Sequence, residues 1–152
     1  MCSYLHGLFL GKGKIKAATV YDIFFGGISV YCMQRKERLG IMQMKAYSSE
    51  GNLVVKLEGE IDHHSVADIR DELDRMIYEN KPQTMILELS GIDFMDSSGL
   101  GLVLGRYRRL SERGARMFIK NPGTRTERIL AMAGVDKLIK IIKTQNEEGE
   151  NK

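Results

Sequence analysis

The fold is decided by residues 84–110, which read TMILELSGIDFMDSSGLGLVLGRYRRL. The run from Thr84 to Leu89 is apolar except for one acid, and its length suits a central β-strand whose two faces are both mostly covered. Further on, apolar residues recur at helical spacing: Leu100, Val103, Leu104, Tyr107 and Leu110. The stretch therefore predicts a strand, a loop rich in Asp, Ser and Gly, and a helix that ends at Gly114.

The residues before this stretch switch from strand patterns to a helix pattern. A β-rich run over 53–57 follows the Gly51-Asn52 turn, and residues 45–49 predict a weaker strand that pairs with it. Helical spacing then appears at Val66, Ile69, Leu73, Met76 and Ile77. Asp62 and Ser65 are candidate caps for this helix, and Asn80-Lys81-Pro82 ends it.

The residues after the stretch continue the alternation. A strand over 115–120, a helix over 125–133 and a last strand over 138–142 are predicted. Strands that alternate with helices imply right-handed crossovers and parallel pairing. We therefore expect a single α/β domain with a mixed, mostly parallel sheet of four or five strands and three helices.

The charge of the chain is unevenly distributed. Residues 1–41 carry six Lys or Arg against two Asp or Glu, whereas residues 42–152 carry seventeen against eighteen. A nucleic-acid binder concentrates its basic surplus in the folded domain, so nucleic acid is not an expected partner. The apolar stretch over 23–33 is shorter than the roughly 20 residues of a spanning helix, so no membrane span is expected.

Residues 1–41 are expected to be an N-terminal extension, separate from a domain over 42–152. Lys36-Glu37-Arg38 can be encoded by purine-only codons, as in a ribosome-binding sequence, and residues 39–41 supply a spacer. In a bacterial gene the natural start is then Met42 or Met44, and residues 1–41 are untranslated. The alternative is a mobile extension. Neither version gives the segment any chemistry.

The candidate site is the segment that joins the strand to the helix, residues 94–101. In open α/β sheets, binding sites form at the carboxyl ends of the strands. The first N–H groups of a helix lack partners and its dipole is positive there, so a phosphoryl group on Ser97 or Ser98 is favoured. Gly99 lets another molecule approach the backbone. The alternative is simple N-capping by Asp96, Ser97 or Ser98.

Catalytic and metal sites are not expected. A nucleophile elbow needs Gly-x-Ser-x-Gly, but Met95 stands at the first glycine position. His63 and His64 are adjacent, point in different directions on most backbones and lack further spaced ligands, so they predict surface residues. The two cysteines lie near the N-terminus without zinc-type spacing. No enzymatic activity, cofactor or metal is therefore expected.

Three arginines follow one another along the predicted second helix: Arg106, Arg109 and Arg113. They predict a solvated helix face, and the alternative is a docking patch for an acidic partner.

Three segments carry a resemblance to a known family: residues 59–64 (GEIDHH), 94–101 (FMDSSGLG) and 104–107 (LGRY). Together they closely resemble the anti-sigma factor antagonists of the STAS domain family, over about residues 44–143. The Asp-Ser-Ser-Gly and Asp-His-His segments make the match specific in combination.

The resemblance implies a phosphorylation switch without catalysis, in sporulation-type transcription control in the bacterial cytoplasm. It identifies Ser97 as the residue that an anti-sigma factor serine kinase phosphorylates and a PP2C-type phosphatase restores. The unphosphorylated protein would bind the anti-sigma factor and release the sigma factor. The loop around the phosphorylation site is expected to comprise Asp93, Asp96, Ser98, Gly99 and Leu100.

The rim of the partner-binding surface is expected from Glu60, Asp62 and His63. Asp62 either caps the first helix or pairs with an arginine of the kinase. Two other functions are considered: a STAS module of another signalling assembly or ligand sensor, and a serine hydrolase, which the missing elbow glycine disfavours.

Overall fold

The computed structural model describes residues 18–25, 28–37 and 40–144, with side chains from residue 43 onwards. The described strands are β1 (Ala18–Phe25), β2 (Ile28–Glu37), β3 (Gly40–Ser49), β4 (Asn52–Ile61), β5 (Thr84–Met95), β6 (Arg116–Lys120) and β7 (Lys140–Ile142). The helices are α1 (Val66–Asn80), α2 (Ser97–Ser111) and α3 (Thr124–Met132), and a short 3-10 turn over Val135–Lys137 precedes β7.

The strands form one sheet in chain order, from β1 to β7. Pairing is antiparallel from β1 to β4 and parallel from β4 to β7. The carboxyl ends of β4 and β5 therefore meet at one edge of the sheet, where the loops before α1 and α2 begin. Strands β3 to β7 and the three helices confirm the predicted α/β fold.

Strands β1 and β2 were not predicted. They lie in the segment 1–41 and extend the sheet beyond β3, with Tyr31 opposite Ala46 in the β2–β3 pair. The boundary between residues 1–41 and a domain over 42–152 stays a prediction.

The core lies between one face of the sheet and the helices. Alternate residues of β5 are fully buried at Met85, Leu87 and Leu89. Helix α1 adds four buried apolar side chains after its first turn: Ile69, Leu73, Met76 and Ile77. Truncation of such a buried leucine to alanine costs about 2–5 kcal/mol.

The other face of β5 is half-buried at Thr84, Ile86 and Glu88, so both faces are mostly covered, as the sequence predicted. Ionic side chains occupy this side: Glu88 lies 3.8 Å from the Lys120 ammonium, and on β4 Lys56 and Glu58 pair at 2.8 Å. These charged groups remain accessible to water. An acid such as Glu88 can therefore lie within the apolar run of β5 without being fully buried. The helices thus cover one face and fix the positions of the loops at its edge.

Candidate functional site

Asp96 caps helix α2, and the two serines after it do not. Its Oδ1 accepts hydrogen bonds from the backbone N–H of Ser98 at 2.8 Å and of Gly99 at 3.2 Å. Its backbone is extended, as an N-cap requires. Capping by Ser97 is therefore wrong, and the Ser97 hydroxyl is not needed to hold the helix end.

Ser97 is the first residue of α2 and is exposed, whereas Ser98 is half-buried. Within the part of the chain that the structure describes, the Ser97 Oγ makes no hydrogen bond. The hydroxyl thus lies in solvent at the positive end of a fifteen-residue helix. This is the arrangement in which an enzyme can reach it and an added phosphate is electrostatically tolerated.

Gly99 is buried, so it does not offer its backbone to another molecule and that expectation was wrong. A Cβ at this position would collide with the Met95 side chain and lie 3.1 Å from the Ile61 Cγ2. The missing side chain instead lets α2 begin close against the ends of β4 and β5. Leu100, the next residue, is half-buried and packs against the core.

The parallel pairing of β4 and β5 brings the second loop beside Ser97. Ile61 lies opposite Met95, and the Asp96 N–H donates to the Ile61 carbonyl at 3.2 Å. The backbone of Glu60, Asp62 and His63 therefore runs next to the start of α2. Glu60 and His63 are exposed, and Asp62 is half-buried.

Asp62 closes the turn that leads into α1. Its Oδ1 accepts from the N–H groups of Ser65 at 2.9 Å and His64 at 3.1 Å, and its own N–H donates to the Ser65 Oγ at 3.1 Å. The hydrogen bond from the Ser65 N–H is the largest influence on the pKa of Asp62 and lowers it, against a smaller opposing effect of burial. Asp62 thus has a local structural role, although the N-cap position itself belongs to Ser65, whose side chain does not cap the helix.

The two histidines are in mutual contact, so the expectation that they point in different directions was wrong. The ring centroids of His63 and His64 lie 3.7 Å apart at an angle of 41°. Among the described side chains no group of three His, Cys, Asp or Glu could hold a metal ion.

Exposed acidic and aromatic side chains also lie near the carboxyl ends of β4 and β5. Asp93 is exposed, and Phe94 keeps 41% of its surface accessible although it is a large apolar residue. Phe94 lies opposite Glu60 in the β4–β5 register. Glu60, His63, Asp93, Phe94 and Ser97 are thus the exposed residues near the ends of β4 and β5, with two acids, one aromatic ring and one free hydroxyl among them, and we call them the Ser97 edge.

The prediction that Arg106 lies on a solvated helix face was wrong. Its side chain is 7% exposed, and its Nε lies 2.9 Å from the Asp74 Oδ1 on α1. Arg109 reaches the other oxygen of Asp74 at 3.3 Å, while Arg113 is exposed as expected. The sequence spacing indicates this burial, because Arg106 lies three residues after Val103 and four before Leu110. These spacings place it on the same helix face as the two apolar residues.

None of the helices in residues 43–144 is long and apolar enough to cross a membrane.

Comparison with known proteins gives a family match over most of the chain. The family model described as STAS domain matches residues 43–148. The anti-sigma F factor antagonist of Paenibacillus polymyxa is 35% identical over 100 residues, which cover 66% of this chain and 86% of that protein. The residues that the family model matches contain both loops of the Ser97 edge.

Two solved structures show the same fold at 31% sequence identity. One is the anti-sigma factor antagonist SpoIIAA in its unphosphorylated form, with a TM-score of 0.60, covering 69% of this chain and 90% of that one. The other is the Bacillus cell fate determinant SpoIIAA in the phosphorylated form, with a TM-score of 0.56, covering 69% and 94%. A protein similar to this chain thus exists in both phosphorylation states.

Proposed function

The chain belongs to the STAS domain family, and we propose that it is a phosphorylation-switched anti-sigma factor antagonist. In its unphosphorylated form it binds an anti-sigma factor serine kinase, which then releases its sigma factor. The observation that carries this proposal is the Ser97 hydroxyl, exposed and free of hydrogen bonds among the described residues at the start of α2. The names of similar proteins, and the two phosphorylation states of SpoIIAA, support the same role.

The electrostatics of the Ser97 edge support a switch that needs no change of fold. A phosphoryl group adds about −1.5 to −2 charges and three acceptor oxygens. The positive end of the α2 dipole reduces the cost of this charge within the protein, while the N–H groups of Ser98 and Gly99 are already bound by Asp96. In a docked complex the same group adds to the exposed acids Glu60 and Asp93 and must lose its water, which opposes binding.

A modest free-energy difference is sufficient for such a switch. A loss of about 3 kcal/mol corresponds to roughly a hundredfold weaker binding. Phe94 supplies apolar area at the same edge, so the unphosphorylated surface has a hydrophobic contact for the kinase as well as charge. The kinase can therefore hold this surface tightly before phosphorylation and release it afterwards.

We assign no catalysis to the chain itself. A nucleophilic serine needs a base within hydrogen-bond reach, and among the described residues the Ser97 Oγ has no such partner. A PP2C-type phosphatase is the partner that would restore the hydroxyl, and the cytoplasm is the compartment in which a sigma factor is controlled. Sporulation is the process we propose, in line with the anti-sigma F factor antagonists among its relatives.

The direct test is phosphorylation of purified protein by the anti-sigma factor kinase encoded in the same genome, with ATP and site mapping by mass spectrometry. We expect one phosphate on Ser97 and none on the folded Ser97→Ala variant. Ser98→Ala is the matched control and should be labelled normally, because that hydroxyl is half-buried. Stoichiometric labelling of Ser97→Ala would overturn the assignment.

A further inference from the structure

Two arginines of α2 hold one carboxylate of α1. The Arg106 Nε lies 2.9 Å from the Asp74 Oδ1, and its Nη2 donates to the Oδ2 at 3.3 Å. The Arg109 Nη1 reaches the same Oδ2 at 3.3 Å from one turn further along the helix. Asp74, Arg106 and Arg109 thus form an ionic link with one hydrogen bond between the two helices, which we call the Asp74 clamp.

Stability does not account for the clamp. The Arg106 side chain is 7% exposed and Asp74 21% exposed, so both charges lose water when the chain folds. The buried Nε and Nη1 of Arg106 and the buried Oδ1 of Asp74 have no hydrogen-bond partner among the described residues, so the 2.9 Å contact between Nε and Oδ1 is ionic only. Burial is also the main influence that lowers the pKa of Arg106, against the opposing effect of Asp74. A buried ion pair of this kind is often no more stabilising than a well-packed apolar pair.

The position of the clamp in the fold suggests what it does. Residues 62–65, which we call the Asp62 loop, lead from β4 into helix α1, and helix α2 begins at Ser97 directly after β5, so the two helices start at neighbouring strand ends. Asp74 lies twelve residues after Asp62, and Arg106 lies nine residues after Ser97. Leu73 on α1 and Val103 on α2 are buried by the hydrophobic effect, which is non-directional, whereas ionic contacts between named atoms add a constraint on how α2 is rotated and shifted along α1.

We propose that the Asp74 clamp positions Ser97 relative to the Asp62 loop, and that Asp74, Arg106 and Arg109 are positioning residues for the phosphorylation switch. One hydrogen bond from the Arg106 Nη2 and the ionic contacts of the Arg106 Nε and the Arg109 Nη1 converge on the Asp74 carboxylate, and together they constrain its distance from α2. The clamp therefore sets the relative placement of the two loops that form the Ser97 edge. The predicted effect on phosphorylation by the kinase rests on the proposed function. The predicted effect of the clamp on the placement of the two loops does not.

The test replaces the clamp with apolar residues of similar size, Asp74→Leu together with Arg106→Met. We expect the double variant to fold with an unfolding free energy equal to or higher than that of the original chain. Arg109 is half-exposed and returns to water. The matched control is Arg108→Ala with Glu112→Ala, which removes an exposed ion pair of 3.0 Å on the same helix.

The first readout needs no partner. The N–H groups of His64 and Ser65 bind the Asp62 carboxylate, and those of Ser98 and Gly99 bind the Asp96 carboxylate. We expect their amide chemical shifts to change and their hydrogen exchange to accelerate in the clamp variant but not in the control. A folded variant with unchanged shifts and exchange at all four amides would overturn the proposal.

The second readout is the rate at which the kinase phosphorylates Ser97, expected to fall by about tenfold in the clamp variant. A changed loop geometry with an unchanged rate would overturn the link to the switch. Absence of phosphorylation in the original chain would instead count against the proposed function and leave the amide test valid. Should the double variant not fold, Asp74→Asn, which keeps the shape of the carboxylate, decides by the same amide readout.

Discussion

Asp62 is the residue whose structural and binding roles substitutions can separate. Asp62→Ala removes the acceptor of two backbone N–H groups and should lower the free energy of unfolding by about 1 kcal/mol. Asp62→Asn keeps an acceptor oxygen and should retain most of that stability. Urea denaturation of both variants measures this difference. Equal destabilisation by the two would contradict the turn-closing role.

The same pair of variants tests whether the charge of Asp62 contacts the kinase. If the carboxylate pairs with an arginine there, Asp62→Asn should weaken binding while the protein remains nearly as stable as the original. Titration calorimetry with the kinase measures the affinity. Unchanged affinity of the stable Asp62→Asn variant for the kinase would show that Asp62 acts only in the structure of the turn and does not pair with the kinase.

The lowered pKa of Asp62 also predicts a pH dependence of stability. Because the folded-state pKa lies below the ordinary value of 3.8, the unfolded chain binds the proton more readily. The contribution of Asp62 is therefore complete well above pH 3.8 and is lost as the pH falls through the lower folded-state value. Unfolding curves in acid should show a shallower decline for Asp62→Ala, and identical declines would contradict the assignment.

At the scale of residues, the sequence predicted the location of the site but not which atoms were free. Three adjacent residues, Asp96, Ser97 and Ser98, can all cap a helix, and only the exact helix start decides among them. Burial of Arg106 depends on a partner on another helix, Asp74, which lies 32 positions earlier in the chain. Local patterns do not contain such contacts.

At the scale of elements, the tight start of α2 gives a paired prediction for two glycines. Gly99→Ala should destabilise the protein by about 1–3 kcal/mol, because the new methyl group meets Met95 and Ile61. Gly105→Ala, with nothing within 4 Å, should stabilise α2 by roughly 0.5–1 kcal/mol. Thermal unfolding of both variants checks the signs, and a stable Gly99→Ala protein would contradict the packing described for α2.

Strand β5 shows why element boundaries were harder to predict than element types. The apolar run predicts a strand from Thr84 to Leu89, yet β5 continues through Ser90 and Gly91 to Met95. Two register shifts, after Glu88 and after Ile92, let the strand gain residues relative to β4. At the first, Gly91 fits against Glu58, where a Cβ would lie 3.2 Å from the Glu58 Cα. A glycine inside a strand therefore marked a bulge here and not an end.

At the scale of the whole molecule, residues 42–152 are predicted to fold without residues 1–41. The buried apolar residues described in the core extend from Met44 to Ile139, so the shorter chain retains them all. Its cooperative thermal transition should lie within about 4–8 °C of that of the full chain, the shift expected for roughly 1 kcal/mol. A shorter chain that is unfolded by circular dichroism would place β1 and β2 in the same cooperative unit.

Strands β1 and β2 were not predicted, although each pairs with the strand that follows it directly in the chain. Residues 18–37 contain Gly26, Gly27 and charged side chains among their apolar residues, which weakens a strand pattern read alone. Their backbone groups pair across the sheet up to β3. The α/β order that follows, in contrast, was visible from the alternation of local periods alone.

The central claim is that a phosphate on Ser97 turns kinase binding off while the fold stays the same. The most direct measurement compares the affinity of the anti-sigma factor kinase for the unphosphorylated and the stoichiometrically phosphorylated chain by titration calorimetry. We predict that the phosphorylated form binds about a hundredfold more weakly, or some 3 kcal/mol, with an unchanged circular dichroism spectrum. Equal affinity of the two forms would contradict the account.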